Sequence, residues 1–184
     1  SSTNAGRDTN NFLSNYSISN YVVNNRMFAN RSNRKFSHVT DGLSNTFLVG
    51  ERSMSTANNN NRSIGASVFG RNNNTTASVE FRAAYPPNTK YNGNGPGKSG
   101  GCCGGDGNCR RYALNSAHVG GVHVCMGDGG VKFLSNTIAS NPAAKRACSD
   151  WTNGGNMNST RRTGVGYVYQ NLATPADEFP VSFE

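Results

Sequence analysis

The side chains best suited to chemistry lie in one short stretch, AHVGGVHVCMGDGGVKFL, which runs from Ala117 to Leu134. His118, His123 and Cys125 are of types that bind metals or build nucleophilic sites, and further cysteines precede them in a glycine-rich loop. However, the spacing His-x4-His-x-Cys matches no common zinc pattern. No acid partner or oxyanion loop for a Cys/His pair is visible either. The sequence therefore predicts neither a catalytic site nor a metal site here.

Two strands joined by a turn would position these side chains. Apolar residues alternate along the first strand and predict one shared face: Val122, Val124 and Met126. His123 and Cys125 share the opposite face, and Val131 and Phe133 share a face of the second strand. Asp128 lies in the GDGG segment between the two strands, and an Asp-Gly pair there strongly favours a hairpin turn.

Calcium is the alternative reading for the acidic turn residues. Asp128 would then be a ligand in a rigid loop. Asp106 and Asn108, in the GGDGNC segment, raise the same choice between a turn and a calcium site. We expect turns at both places, with no cofactor required.

Length and composition indicate a single domain, residues 1–184, with many loops. Hydrophobic residues make up 34% of the chain and charged residues 15%, while asparagine, serine and glycine are abundant. Asparagine and glycine favour turns and are poor in helix interiors. The longest loop predicted is a glycine-rich insertion over residues 86–109.

The net charge of +8 comes from basic residues scattered along the whole chain. A nucleic-acid-binding protein usually concentrates them on one face or helix, so this scatter does not favour nucleic acid. A polysaccharide or another polyanion is an alternative partner. Its binding would use arginines and these aromatic residues: Tyr85, Tyr91, Tyr112, Trp151 and Tyr167.

The cysteines predict disulfide bonds and hence an oxidising, extracellular compartment. Three of the five lie close together in the long loop. We predict one bond from Cys109 to either Cys103 or Cys102, and a second bond from Cys125 to Cys148. No signal peptide and no apolar run of membrane length is visible in the sequence.

Sequons would permit glycosylation in such a compartment, although an asparagine-rich chain also forms them by chance. They begin at Asn15, Asn30, Asn61, Asn73, Asn74 and Asn158.

Local patterns predict further elements. Residues 19–28 read as a hairpin around Asn24-Asn25, and Thr40 or Asp41 is positioned to cap a short helical turn. Strands are predicted over residues 45–51, 63–70, 77–85 and 165–172. Pro142 is a favourable start for a short helix.

Two ordered motifs resemble a known family. The first, HVTDGLSNTFLVGERS, resembles the signature ITDGTSNT-(apolar)-GE, and the second, HVGGVHVCMGDGGVKFLSNTI, resembles HPGG-x-N-(apolar)-ADGSVRF-(L/I). Their order and separation are similar to those of a prepilin-like family of unknown function that is abundant in planctomycete bacteria and also labelled solute-binding protein family 10. The matching residues are Asp41, Gly42, Ser44, Asn45, Thr46, Gly50, Glu51, His118, Gly120, Gly121, Asp128, Gly129, Val131 and Phe133. Val119 and Gly130 depart from the signature, which has proline and serine at these places.

The resemblance implies a pilin-like architecture, in which a leading helix precedes a β-rich head. We expect the N-terminal pilin helix to be absent from this chain. The expected fold is therefore α+β and β-rich: an antiparallel sheet of a pilin-like head domain, with long loops and few short helices.

The function expected is that of an extracellular structural subunit. In this interpretation, identical pilin- or pseudopilin-like subunits assemble into filaments or a matrix at the cell surface. The alternative is a secreted module that binds a carbohydrate or polyanion. We do not expect an enzyme, and none of the matching residues implies a catalytic role.

Overall fold

The structure of the protein is a computed structural model. It describes residues 18–28, 33–53, 66–67, 79–83, 85–89, 112–140, 167–176 and 181. The Cys103–Cys109 segment, Pro142 and all six predicted sequons lie outside these residues.

A five-stranded sheet organises the described residues. Its strands are β2 (Tyr21–Asn24), β3 (Phe47–Glu51), β5 (Glu80–Phe81), β6 (Gly121–Met126) and β7 (Val131–Ser135), in the order β5-β2-β3-β6-β7. A separate pair joins β1 (Ile18–Ser19) to β4 (Ala66–Ser67). Two 3-10 helices, Phe36–His38 and Leu43–Asn45, and one α-helix, α1 (Val168–Ala173), complete the described elements.

This architecture confirms the prediction of a β-rich α+β fold with few short helices. The sheet is mixed rather than wholly antiparallel, because β5 pairs with β2 in parallel. The other three pairings, β2–β3, β3–β6 and β6–β7, are antiparallel. In the described parts of the strands predicted over residues 63–70 and 77–85, Ala66–Ser67 and Glu80–Phe81 are strand, and they pair with different partners.

Apolar and polar side chains alternate along β6 and lie on opposite faces of the sheet, as predicted. Val122, Val124 and Met126 are buried on the inner face, while His123 and Cys125 on the outer face stay partly exposed. The register pairs His123 with Phe133 and Cys125 with Val131. Val131 and Phe133 of β7 therefore lie beside the two polar positions, whereas Leu134 of β7 is buried in the core.

The β6–β7 turn confirms the hairpin, with Asp128 as its turn former. The N–H of Gly129 donates to the carbonyl oxygen of Met126 at 3.1 Å, and Gly129 has a φ of 87°. The carboxylate of Asp128 accepts the backbone N–H of Gly130 at 2.8 Å. A left-handed residue after such a turn is the usual geometry of short hairpin loops, and glycine adopts it without strain.

A core lies on the inner face of the sheet, and α1 closes it. Tyr169, Leu172 and Ala173 of the helix are almost fully buried. The side-chain amide of Asn24 donates to the carbonyl oxygens of Phe47 and Ala173, at 2.8 and 2.9 Å. These two hydrogen bonds connect the end of the helix to β2 and β3.

The strand predicted over residues 165–172 is wrong, because α1 forms there instead. Its valines and tyrosines favour a strand by propensity. The structure instead buries Tyr169, Leu172 and Ala173, which have helical i, i+3, i+4 spacing. The side chain of Gln170 also donates to the carbonyl oxygen of Ala83 at 2.8 Å. Tertiary contacts thus override local preference in so short a helix.

The hairpin predicted over residues 19–28 is also wrong. Asn24 and Asn25 do not adopt a positive φ, and both are buried. The side chain of Asn24 accepts the N–H of Arg26 at 2.9 Å, and the backbone N–H of Asn25 donates to the carbonyl oxygen of Phe81 at 3.1 Å. The two asparagines therefore form hydrogen bonds in the interior, and β2 pairs with distant strands rather than with the residues after it.

The TDGLSNT segment forms the helical turn expected, but without the predicted caps. Gly42, with a φ of 95°, is the residue before the 3-10 helix, so neither Thr40 nor Asp41 caps it. The side-chain amide of Asn45 donates to the carbonyl oxygen of Asp41 at 3.2 Å, and the hydroxyl of Thr46 donates to that of Gly42 at 3.1 Å. The segment is thus a turn stabilised by hydrogen bonds between its own side chains and backbone, and it leads into β3.

Candidate functional site

Glu51, His118 and His123 come together on the outer face of the sheet. The Oε1 atom of Glu51 lies 3.3 Å from Nε2 of His118, and Oε2 lies 3.6 Å from Nδ1 of His123. One ligand-type atom from each residue lies within 4.8 Å of the other two. The cluster joins the end of the first motif to the start of the second.

Strand pairing explains why Glu51 and His123 meet. The register places Gly50 of β3 opposite Val124 of β6, so the next residues in the pairing are Glu51 and His123. The carboxylate of Glu51 accepts the backbone N–H of His123 at 2.7 Å. Its side chain is 15% exposed, whereas that of His123 is 42% exposed, so the carboxylate forms the floor of the cluster.

His118 reaches the cluster from the loop before β6, and Asn88 shapes that loop. The side chain of Asn88 accepts the N–H of Ser116 at 2.7 Å and donates to the carbonyl oxygen of Gly121 at 3.2 Å. It also donates to the side-chain oxygen of Asn136 at 2.8 Å. Asn88 itself has a φ of 58°, a conformation that asparagine tolerates better than most residues.

Aromatic packing orients the imidazoles. The rings of His118 and His123 meet edge to face, with centroids 4.8 Å apart. The ring of His123 meets Phe133 at 5.3 Å with a similar tilt. Gly121 is needed beside this group, because a Cβ there would lie 2.6 Å from the Phe133 ring and would also meet the carbonyl of Leu134.

Cys125 carries a free thiol, which corrects the predicted Cys125–Cys148 bond. The thiol lies on the outer face near the end of β6, opposite Val49 of β3 and Val131 of β7. It donates weakly to the carbonyl oxygen of Met126 at 3.5 Å. The other cysteines lie outside the described residues.

The calcium candidates receive no support from the described residues. Asp128 is exposed and is used in the turn, and within the described ranges the cluster of Glu51, His118 and His123 does not include it. Asp106 and Asn108 lie outside the described residues. His118 and His123 stand out in the sequence by residue type, but no local pattern connects them with Glu51.

Several arginine and tyrosine residues considered for ligand binding are part of the core instead. Tyr85 and Tyr112 are almost fully buried, and the guanidinium of Arg82 lies 3.7 Å from the centroid of the Tyr112 ring. Arg82 also forms a 2.6 Å ion pair with Glu80. Packing in the core therefore accounts for Tyr85 and Tyr112.

The fold and the joined motifs define a β-rich domain in which two distant signatures share one strand pair. The chain belongs to a family described as "Protein of unknown function (DUF1559)", with the short name SBP_bac_10, whose model matches residues 1–141. Comparison with curated proteins and with solved structures gave no significant match. No helix in the described ranges has the length and apolar character needed to cross a membrane.

Proposed function

We propose that this chain is an extracellular structural subunit of the pilin or pseudopilin type. Identical copies assemble into filaments or a matrix at the cell surface, and the chain performs no catalysis of its own. The observation that carries the proposal is the exposed apolar edge strand β7. The polar, asparagine-rich composition adds support, since such side chains form many hydrogen bonds between subunits.

Among the strands of the described residues, β7 lies at one end of the five-stranded sheet. Hydrogen bonds from Met126 to Gly130 and from Asn136 to Gly120 lie at the two ends of its ladder with β6. In an antiparallel ladder, only alternate residues form backbone hydrogen bonds with the partner strand. On β7 these residues are Lys132 and Leu134, which pair with residues of β6. Val131 and Phe133 therefore direct their backbone N–H and carbonyl groups away from the sheet.

The side chains at the same two positions are apolar and open to solvent. Val131 is 68% exposed and Phe133 is 47% exposed. Edge strands that avoid pairing commonly carry charges, prolines or bulges, and β7 has a single charge, Lys132, between its two exposed apolar residues. An edge with free backbone groups and apolar side chains is suited to pairing with a strand of a second copy.

The alternative, a secreted module for a carbohydrate or polyanion, has weaker support. Such a site would need aromatic faces accessible beside basic groups. In the described residues, Tyr85 and Tyr112 are buried and Arg82 is used in the core, while Tyr167 is partly exposed. Tyr91 and Trp151 lie outside the described residues.

The test is electron microscopy of the native protein as the cell produces it, combined with sedimentation of the purified chain. Val131→Lys places a charge on the edge without touching the Glu51 cluster. Phe36→Lys is the matched control, because Phe36 is 59% exposed but lies in a 3-10 helix away from β7. We expect fibres, sheets or large oligomers for the wild type and the control, and their loss in Val131→Lys.

Dispersed monomers at every concentration of the wild type would contradict the proposal. Assembly that survives Val131→Lys would leave the subunit role in place and exclude β7 as its contact.

A further inference from the structure

We propose that Glu51, His118 and His123 form a binding site for a divalent transition-metal ion of the zinc type. The inference goes beyond the structural role proposed above and does not depend on it. It rests on the donor types, their separations and the elements that position them.

The separations fit a shared ion. Bonds from zinc to nitrogen or oxygen are about 2.0–2.2 Å, so neighbouring ligand atoms of a tetrahedral ion are roughly 3.3 Å apart. The two carboxylate-to-imidazole separations are 3.3 and 3.6 Å, and all three ligand atoms lie within 4.8 Å of one another. The two separations involve different oxygens of Glu51, and a shared tetrahedral ion requires the exposed His118 imidazole to rotate toward the other two ligands.

Two of the three ligands are held on rigid elements. Glu51 and His123 lie on the paired strands β3 and β6, and the N–H of His123 fixes the carboxylate at 2.7 Å. The Phe133 ring restrains His123. Such outer contacts orient metal ligands in known sites and strengthen binding.

His118 is the adjustable third ligand. Its side chain is 55% exposed and is carried by the loop that Asn88 shapes. A loop ligand can close on the ion while the strand ligands stay in place. Because the cluster faces solvent, water would fill the remaining coordination positions.

The donor set selects the class of metal. Two imidazole nitrogens and one carboxylate suit zinc, nickel or copper(II), whereas calcium and magnesium prefer oxygen ligands. The alternative reading is a pair of ion pairs between protonated imidazoles and Glu51. At this exposure such pairs would contribute little to stability, and they would bind no metal.

Titration of the purified full chain with zinc, followed by calorimetry, tests the proposal, and cobalt(II) absorption reports the geometry. Glu51→Gln and His123→Asn each remove one ligand while nearly preserving size. Asparagine also stands at the position of His123 in the signature that the second motif resembles. His38→Asn is the matched control, since His38 is exposed in a different element.

We expect binding at this site to weaken by at least about tenfold in Glu51→Gln and in His123→Asn, as loss of a ligand should cost no less than loss of an outer-shell partner. His38→Asn should bind like the wild type. Because thiolates are also zinc ligands, the difference between variants, and not binding alone, decides the question.

Absence of zinc binding to the wild type would overturn the proposal. So would equal binding by the wild type, Glu51→Gln and His123→Asn. Circular dichroism checks that each variant is folded. If either strand variant fails to fold, His118→Ala replaces it, because His118 lies on an exposed loop, and the same two outcomes decide.

Discussion

The backbone N–H of Gly127 donates to the carbonyl oxygen of Thr46 over 2.9 Å, which joins the hairpin turn of one motif to the helical turn of the other. Farther along the same strand pair, Glu51 accepts the N–H of His123. The two motifs are therefore the two sides of one β3–β6 contact. Their glycines, polar turns and paired strand residues act together, although they are far apart in the sequence.

Gly127→Ala should destabilise the protein by about 1–3 kcal/mol, because an added methyl group forces apart two packed segments. A Cβ at this position would lie 2.8 Å from the carbonyl oxygen of Leu43 and 2.9 Å from a methyl carbon of the same residue. Urea denaturation measures the loss. Gly130→Ala is the control, since its Cβ would meet only the movable side chain of Asp128. Equal stability of the two variants would refute the close approach.

Asn88→Ala should reduce stability by about 1–3 kcal/mol, because it leaves hydrogen-bonding groups around the His118 loop without their partner. The side chain of Asn88 contacts Ser116, Gly121 and Asn136. Thermal and urea denaturation would show the change. The exposed Asn33, replaced in the same way, should give a change within about 0.5 kcal/mol. A similarly small change for Asn88→Ala would show that the loop does not depend on it.

Tyr169→Phe should leave stability unchanged or raise it slightly. The hydroxyl of Tyr169 is buried, and within the described part of the chain it has no hydrogen-bond partner. Removing a buried polar group that has no partner saves its desolvation cost, which is on the order of 1 kcal/mol. Tyr21→Phe, at a 58% exposed tyrosine, supplies the comparison. A clear loss of stability in Tyr169→Phe would show that the hydroxyl has a partner.

The stability of the wild type should fall at alkaline pH, because the buried hydroxyl of Tyr169 resists ionisation. Burial raises the pKa of Tyr169 above its ordinary value, although the nearby Arg52 opposes the shift. The unfolded tyrosine ionises near pH 10, so above that pH the folded state keeps a proton that the unfolded state has lost. Above that pH, the unfolding free energy of the wild type should therefore fall relative to that of Tyr169→Phe. A constant difference from pH 8 to 11 would contradict this.

Peptide mapping without reduction should recover Cys125 as a free thiol. The structure places this thiol on the outer sheet face near the end of β6, between the cross-strand neighbours Val49 and Val131. Alkylation before digestion labels it, and Cys125→Ser supplies the negative control. Recovery of Cys125 linked to Cys148 would restore the bond that the sequence predicted.

The sequence by itself determined the features that depend on neighbouring residues. The alternation of Val122, Val124 and Met126 specified the buried face of β6, since side chains in a strand point to opposite sides. Asp128 and Gly129 specified the turn, because few residues accept a left-handed conformation. The strand after Thr46 and the β-rich character of the chain were predicted for similar reasons.

Only the tertiary structure decided the pairings between distant segments. It buried Asn24 and Asn25 against other strands instead of leaving them in a hairpin turn. It also made a helix of residues that favour a strand, because contacts to the core outweigh weak local preferences. Glu51 met His118 and His123 because β3 pairs with β6 in one register, and no local pattern encodes a register between strands so far apart.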